Sequence, residues 1–263
     1  MTDAPQIRFD DGAAYEEFMG AWSRLAGDAF LRWLEPAPGR RWVDVGCGNG
    51  AFTEMIVERC APTTVQGIDP SPEQIAFARA RTTSDIARFD VGDAMALPYG
   101  DATFDAAVMA LVIFFVPDPA KALAEMTRVV RPGGTVTAYS WDILGGGFPY
   151  AALQDEMAKL ASTPLWPPSV EASRLETSRL LWAGAGLTGI ETREISVVRT
   201  FSDFDSFWRI AQTGPRLAAS IAAMPEGDRQ LLSDRLRARL AADPTGRITC
   251  SARANAIKGH VAS

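Results

Sequence analysis

Of the 263 residues, one is histidine and three are cysteine. Cys47, Cys60 and Cys250 are too scattered for a zinc knuckle and odd in number for a disulfide framework, so buried, reduced thiols and no metal are expected. His260, near the C-terminus, reads as a solvated tail residue. Basic charge is also short. The 26 Lys and Arg against 32 Asp and Glu leave a net charge of −6, and no basic block or stripe offers itself to a phosphate backbone, so no nucleic-acid partner is expected. The longest apolar run, Ala106 to Val116, is too short to span a bilayer. The opening MTDAPQIRFDDG has neither a basic n-region nor an apolar h-region, so no signal peptide and a cytoplasmic location are expected.

What remains is ordinary for a globular chain, 47% hydrophobic and 22% charged, and its patterning is that of an α/β protein. Tyr15, Phe18, Trp22, Leu25, Ala29 and Trp33 recur at helical spacing until EPAPGR (35–40) breaks the run. Strands are then expected at RWVDVG, TVQGID (64–69), IARFDVGD (86–93), FDAAVMAL (104–111) and TVTAYSW (135–141). Helices alternate with them. One opens near Gly50, one at Ser71-Pro72-Glu73-Gln74 with Ser as N-cap and Gln closing a capping box, and one at Asp118-Pro119. That alternation predicts a doubly wound, mostly parallel sheet. Beyond Trp141 the pattern loosens into a glycine loop (142–150), a proline-rich stretch (162–169), a helix near 175–185 and a strand near 189–199. A helical span over 202–242 follows, with Ser202 as N-cap, and a last strand begins after residue 246.

The stretch WVDVGCGNGAF (42–52) raises the functional question. Gly46, Gly48 and Ala51 fit the G-x-G-x-x-G/A dinucleotide fingerprint, while Gly46, Gly48 and Gly50 equally give G-x-G-x-G. Both readings put a ligand on a tight loop at the C-terminal edge of the sheet, and both use an acid at the end of the second strand, here Asp69. Three features favour the second reading. Asp44 places a carboxylate just before the loop, which suits an ammonium and not a pyrophosphate. Asp93, followed by Ala94, ends the third strand where a carboxylate can accept from an adenine amino group. LPYGDATFDAAVMA and VVRPGGTVTAYSW then follow in order.

With VDVGCGNG, GIDPS, GDAMALPYGDATFDAAV and RVVRPGGTV in sequence, residues 41–142 resemble the core of the class I S-adenosylmethionine-dependent methyltransferases, most nearly the small-molecule branch that includes the ubiquinone and menaquinone biosynthesis enzymes. YEEFMGAWSRL resembles the helix that such enzymes fold over the cofactor. The resemblance implies a Rossmann-like, seven-stranded sheet with helical lid insertions and S-adenosyl-L-methionine as cofactor. It implies that Gly46 and Gly48 border the methionine portion, with Asp44 near its ammonium and the Met109 carbonyl facing the same group. Asp69 takes the ribose hydroxyls, Pro70 packs on the adenine, and Asp93 and Ala94 face the adenine edge. Tyr15 and Met19 close over the site.

The organisation expected is an N-terminal cover (1–40), a cofactor-binding core (41–142), late core elements with a lid and acceptor region (143–245), and a C-terminal strand and tail (246–263). Methyl transfer from a sulfonium is governed by alignment, so a general base is not obligatory and no catalytic residue is assigned. Relatives often carry a histidine after the fourth strand. This chain has LVIFFVPD there, with Phe114 and Phe115, which rules out histidine base catalysis at that place and suggests an apolar or aromatic acceptor wall. The absence of Asn/Asp-Pro-Pro-aromatic and Pro-Cys motifs speaks against nucleobase methylation. Trp141, Phe148, Tyr150, Trp166, Phe204, Phe207 and Trp208 are candidates for lid core or acceptor wall, with Tyr139 and Tyr150 as candidate polar anchors. A metal-independent methyltransferase acting on a small, apolar or aromatic metabolite is the expected function. A cofactor-binding protein without turnover and an NAD-dependent oxidoreductase are the alternatives.

Overall fold

The computed structural model describes residues 16–160 and 166–262. Strands β1 (Arg41–Val45), β2 (Thr64–Asp69), β3 (Ala87–Val91), β4 (Phe104–Ala110), β5 (Val130–Trp141), β6 (Thr188–Phe201) and β7 (Ile248–His260) form one sheet in the order β3-β2-β1-β4-β5-β7-β6. The first five pair in parallel, and β7 is antiparallel to both β5 and β6. The inserted antiparallel strand separates this sheet from the 3-2-1-4-5-6 order of the dinucleotide-binding fold.

The inner strands are covered on both faces, which is why FDAAVMA of β4 reads as a nearly unbroken apolar run and not as an alternation. Around the sheet lie helices α1 (Ala21–Leu34), α2 (Ala51–Cys60), α3 (Pro72–Arg81), α4 (Pro119–Val129), α5 (Ala151–Lys159), α6 (Leu175–Gly184), α7 (Phe204–Ala211), α8 (Pro215–Ala222) and α9 (Glu226–Arg239). Local chemistry starts several of them. Ser71 Oγ accepts from the Gln74 amide at 3.2 Å ahead of Pro72, and Asp118 Oδ1 accepts from the Lys121 amide at 3.0 Å ahead of Pro119. Helix α1 packs along α2 and β6, and its Phe30 ring lies 4.6 Å from Tyr139 of β5. Among the described residues no helix is long and apolar enough to cross a membrane.

Five sequence expectations are corrected. The buried stripe of α1 is Trp22, Ala26, Phe30 and Leu34, while Leu25 is exposed and Trp33 half-buried. A π-helical turn at Glu16–Gly20 precedes α1, and its extra residue shifts the phase of the stripe. Residues 202–242 form three helices and not one span, because proline at 215 and 225 forces the chain out of helix at Gly214 and Met224-Pro225. The first of these is capped by Asp203, whose Oδ1 accepts from the Ser206 amide at 2.7 Å, and not by Ser202. Strand β5 starts at Val130, opposite Phe104, with the Pro-Gly-Gly excursion inside it as an irregularity of register. His260 is no tail residue. It ends β7, opposite Thr135 and Thr188.

Candidate cofactor site at the glycine loop

The loop between β1 and α2 is built on backbone conformations that favour glycine. Gly46, Gly48 and Gly50 have φ of 78°, 51° and 80°, and a Cβ on Gly46 would lie 2.5 Å from Val112 Cγ1. Five amides of this stretch are already engaged. Those of Gly46 and Cys47 donate to Ile68 O at 2.7 and 3.0 Å, that of Gly48 to Asp69 Oδ2 at 3.0 Å, that of Gly50 to Cys47 O at 2.9 Å, and that of Ala51 to Asn49 Oδ1 at 3.2 Å. A pyrophosphate binds to free amides at such a turn. Here these five donors are spent on the protein itself.

The electrostatics point the same way. Asp44 is fully buried at the end of β1. Its Oδ2 accepts from Thr53 Oγ1 at 2.6 Å, and its Oδ1 has no partner. Burial drives its pKa up to about 7, opposed by the Thr53 hydrogen bond and assisted by the nearby Asp69 carboxylate. An orphaned carboxylate oxygen in a dry site is costly unless a donor or cation completes it. Asp69, half-buried at the end of β2, accepts from the amides of Gly48 (3.0 Å) and Ser71 (2.9 Å), one on each oxygen. It thus supplies the contact to the Ser71 amide that was expected from Gln74. Its pKa is raised by burial and held back by these two amides. Glu16, ion-paired to Arg24 at 3.0 Å, reaches the loop through Asn49 Nδ2 at 3.4 Å and brings the N-terminal turn beside it. Glu16 is already paired with Arg24 and Arg81, so it is Asp44 and Asp69 that suit the loop to a cation.

The sequence-assigned residues are distributed as follows. Asp44, Gly46, Gly48 and Asp69 come together in one hydrogen-bonded unit at the adjacent ends of β1 and β2. Pro70 is exposed beside it. Asp93 and Ala94 follow β3, the neighbouring strand, where Asp93 is exposed and its Oδ1 takes the Met95 amide at 2.8 Å. Met109 is buried near the end of β4, one residue beyond Val108, which pairs with Asp44. Met19 is buried in the main core, and Tyr15 lies outside the described residues. Thr53, Asn49, Glu16 and Val112 were not singled out from the sequence. Nor was Leu111, which takes φ of 63° directly after β4 and donates its amide to Tyr139 O at 2.8 Å. A left-handed leucine beside a ligand loop is strain of the kind that functional sites store. The buried hydroxyl Thr53, nine residues after Asp44, was the one legible signal among them.

One candidate polar anchor, Tyr150, is corrected. Tyr150 is fully buried, its hydroxyl donates to Phe18 O at 2.9 Å, and its ring stacks on Phe18 at 4.4 Å, so it fastens the N-terminal turn. The Tyr139 ring is core, packed against Phe30 and Phe52. Of the late rings, Trp141, Phe204 and Phe207 are buried, Phe148 and Trp208 half-buried and Trp166 exposed. After β4, Phe114 O and Val116 O accept from the Ser169 amide (3.1 Å) and hydroxyl (2.7 Å), which ties the late segment to this wall. All three cysteines are free and buried. Burial first, then Asp44 and Asp69, push the Cys47 thiol up, so it is a filler and not a nucleophile.

This sheet order is that of the Rossmann-like methyltransferase fold. Residues 43–138 match the methyltransferase domain family. An uncharacterised methyltransferase of Mycobacterium tuberculosis is 40% identical over 104 residues, 40% of this chain and 41% of its own length. Methyltransferase GfsG of Streptomyces halstedii is 34% identical over 128 residues, 47% of this chain and 45% of that protein. The chain thus spans less than half the length of these curated relatives. Phosphoethanolamine N-methyltransferase 2 of Haemonchus contortus, solved with S-adenosyl-L-methionine, shares the fold with a TM-score of 0.59 at 18% identity, over 95% of this chain and 56% of that one.

Proposed function

We propose that this chain transfers the methyl group of S-adenosyl-L-methionine to a small, apolar or aromatic metabolite by in-line displacement. The observation that carries the reading is the buried, unpartnered Oδ1 of Asp44 beside a loop whose three glycine amides are spent. In this reading Asp44 receives the cofactor's ammonium together with the Met109 carbonyl, while Gly46 and Gly48 let the backbone approach the methionine portion. Asp69 keeps its two amides and accepts the ribose hydroxyls through its remaining lone pairs. Pro70 packs on the adenine, whose edge meets the Asp93 carboxylate and the Ala94 amide. When bound, the cofactor supplies a methyl on a sulfonium, a reactive group with its leaving group built in. The protein's part is to align the acceptor and exclude water, and the Phe114–Phe115 wall with the half-buried Phe148 and Trp208 rings supports an apolar or aromatic acceptor.

Incubating the full chain with radiolabelled methyl donor and a metabolite extract tests turnover. Label is expected in an organic-extractable small molecule. Label only in protein or tRNA, or in nothing while the cofactor still binds, refutes the assigned acceptor class.

A further inference from the structure

At the opposite, N-terminal edge of the sheet a cavity of about 80 Å³ opens between the end of α1 and strands β1, β5 and β7. That is several times the room one water needs. Its wall is rich in donors. Arg40, just before β1, donates from Nη1 to Thr135 Oγ1 at 3.1 Å, and among the described residues no carboxylate ion-pairs with it. Thr135 Oγ1 lies 3.5 Å from Nδ1 of His260, the chain's one histidine. Trp42 is 1% exposed, and its indole Nε1–H has no partner. Lys258 adds a second cation, placed 4.9 Å over the Trp33 ring and 3.3 Å from Glu191. Glu35, exposed on the rim, is the one acid in the wall.

Two nearly buried donors, Trp42 and Thr135, thus meet two half-buried basic side chains, Arg40 and His260. A buried indole N–H without an acceptor calls for one. Guanidinium, hydroxyl and imidazole groups around one small volume, with the unpartnered Trp42 indole in the same wall, match the several acceptor oxygens of a tetrahedral oxyanion, for which arginine is the preferred partner.

We propose that this cavity binds a small oxyanion of the phosphate kind, held by Arg40, Trp42, Thr135 and His260. The site is separate from the glycine loop at the other edge of the sheet, so it stands or falls independently of methyl transfer. Inorganic phosphate, titrated into the ¹⁵N-labelled full chain at constant ionic strength against chloride, is the probe. The indole Nε1–H resonance that is missing from Trp42→Phe is expected to move saturably with phosphate and not with chloride. Arg40→Gln is expected to weaken the midpoint by about tenfold or more. If Arg40→Gln does not fold, His260→Gln serves, and it too must weaken the midpoint. No saturable movement of that resonance, or a saturable movement that the folded variants leave unchanged, overturns the proposal.

Discussion

Asp69→Ala is expected to lower the affinity for S-adenosylhomocysteine by at least about a hundredfold, and to cost folding stability as well. The two effects have separate causes in one side chain. Each carboxylate oxygen already holds a backbone amide, Gly48 on one side and Ser71 on the other, so the carboxylate fixes both the glycine loop and the start of α3. Removing it strands two N–H groups in a half-buried place, a loss of about 1–3 kcal/mol for each one that water cannot reach. The remaining lone pairs are those that the ribose hydroxyls would use. Hydrogen bonds to a charged acceptor contribute roughly 1.5–3 kcal/mol each, so losing two gives the hundredfold or more. Asp69→Asn should fall between, because its amide retains one acceptor but turns a donor toward the other N–H. Calorimetric titration and thermal unfolding read the two effects separately. A variant that unfolds earlier yet binds with wild-type affinity would remove Asp69 from the cofactor's ribose and leave it a loop fastener only.

Cofactor affinity is expected to rise as pH climbs from about 6 to 8, because Asp44 titrates near 7 and only its ionised form attracts an ammonium. The unliganded protein should show the opposite trend in stability. Asp44 is raised above its ordinary value of 3.8, so between about pH 4 and 7 the native state holds a proton that the unfolded chain has released. Stability therefore falls through that window and levels off above it. At about 1.4 kcal/mol per unit the ceiling on this effect is about 4 kcal/mol. Asp44→Asn keeps an acceptor for Thr53 and carries no charge. It should flatten both profiles, unfolding later than wild type at pH 8 and binding the cofactor more weakly. Parallel affinity profiles for wild type and variant between pH 6 and 8 would show that Asp44 does not face the ammonium.

The β-α alternation up to β5 was legible because its punctuation is chemical and local. Ser71-Pro72 and Asp118-Pro119 start helices through their own side chains, and glycines in the left-handed region fix the loop after β1. The later part was less legible where long-range packing decides. The three-way split of 202–242 turns on two prolines read as if a helix could run through them. His260 looked like tail because nothing in its neighbourhood announces that β7 threads between β5 and β6. Tyr150, offered as an anchor, is consumed by a contact from far away in sequence, the Phe18 carbonyl. The same holds within the candidate site. Asp44, Gly46 and Gly48 sit in one short motif and Asp69 ends the next strand, so all four could be named from local sequence. Val112, which closes on Gly46, and Glu16, which reaches the loop through Asn49, come from elsewhere in the chain and become visible once the strands are assembled.

Calorimetric titration of the full chain with S-adenosylhomocysteine, and in parallel with NADH, tests the central claim most directly. The account predicts saturable binding of the first, one molecule per chain, and none of the second. Binding of NADH, or no heat from S-adenosylhomocysteine at millimolar concentration, would contradict it.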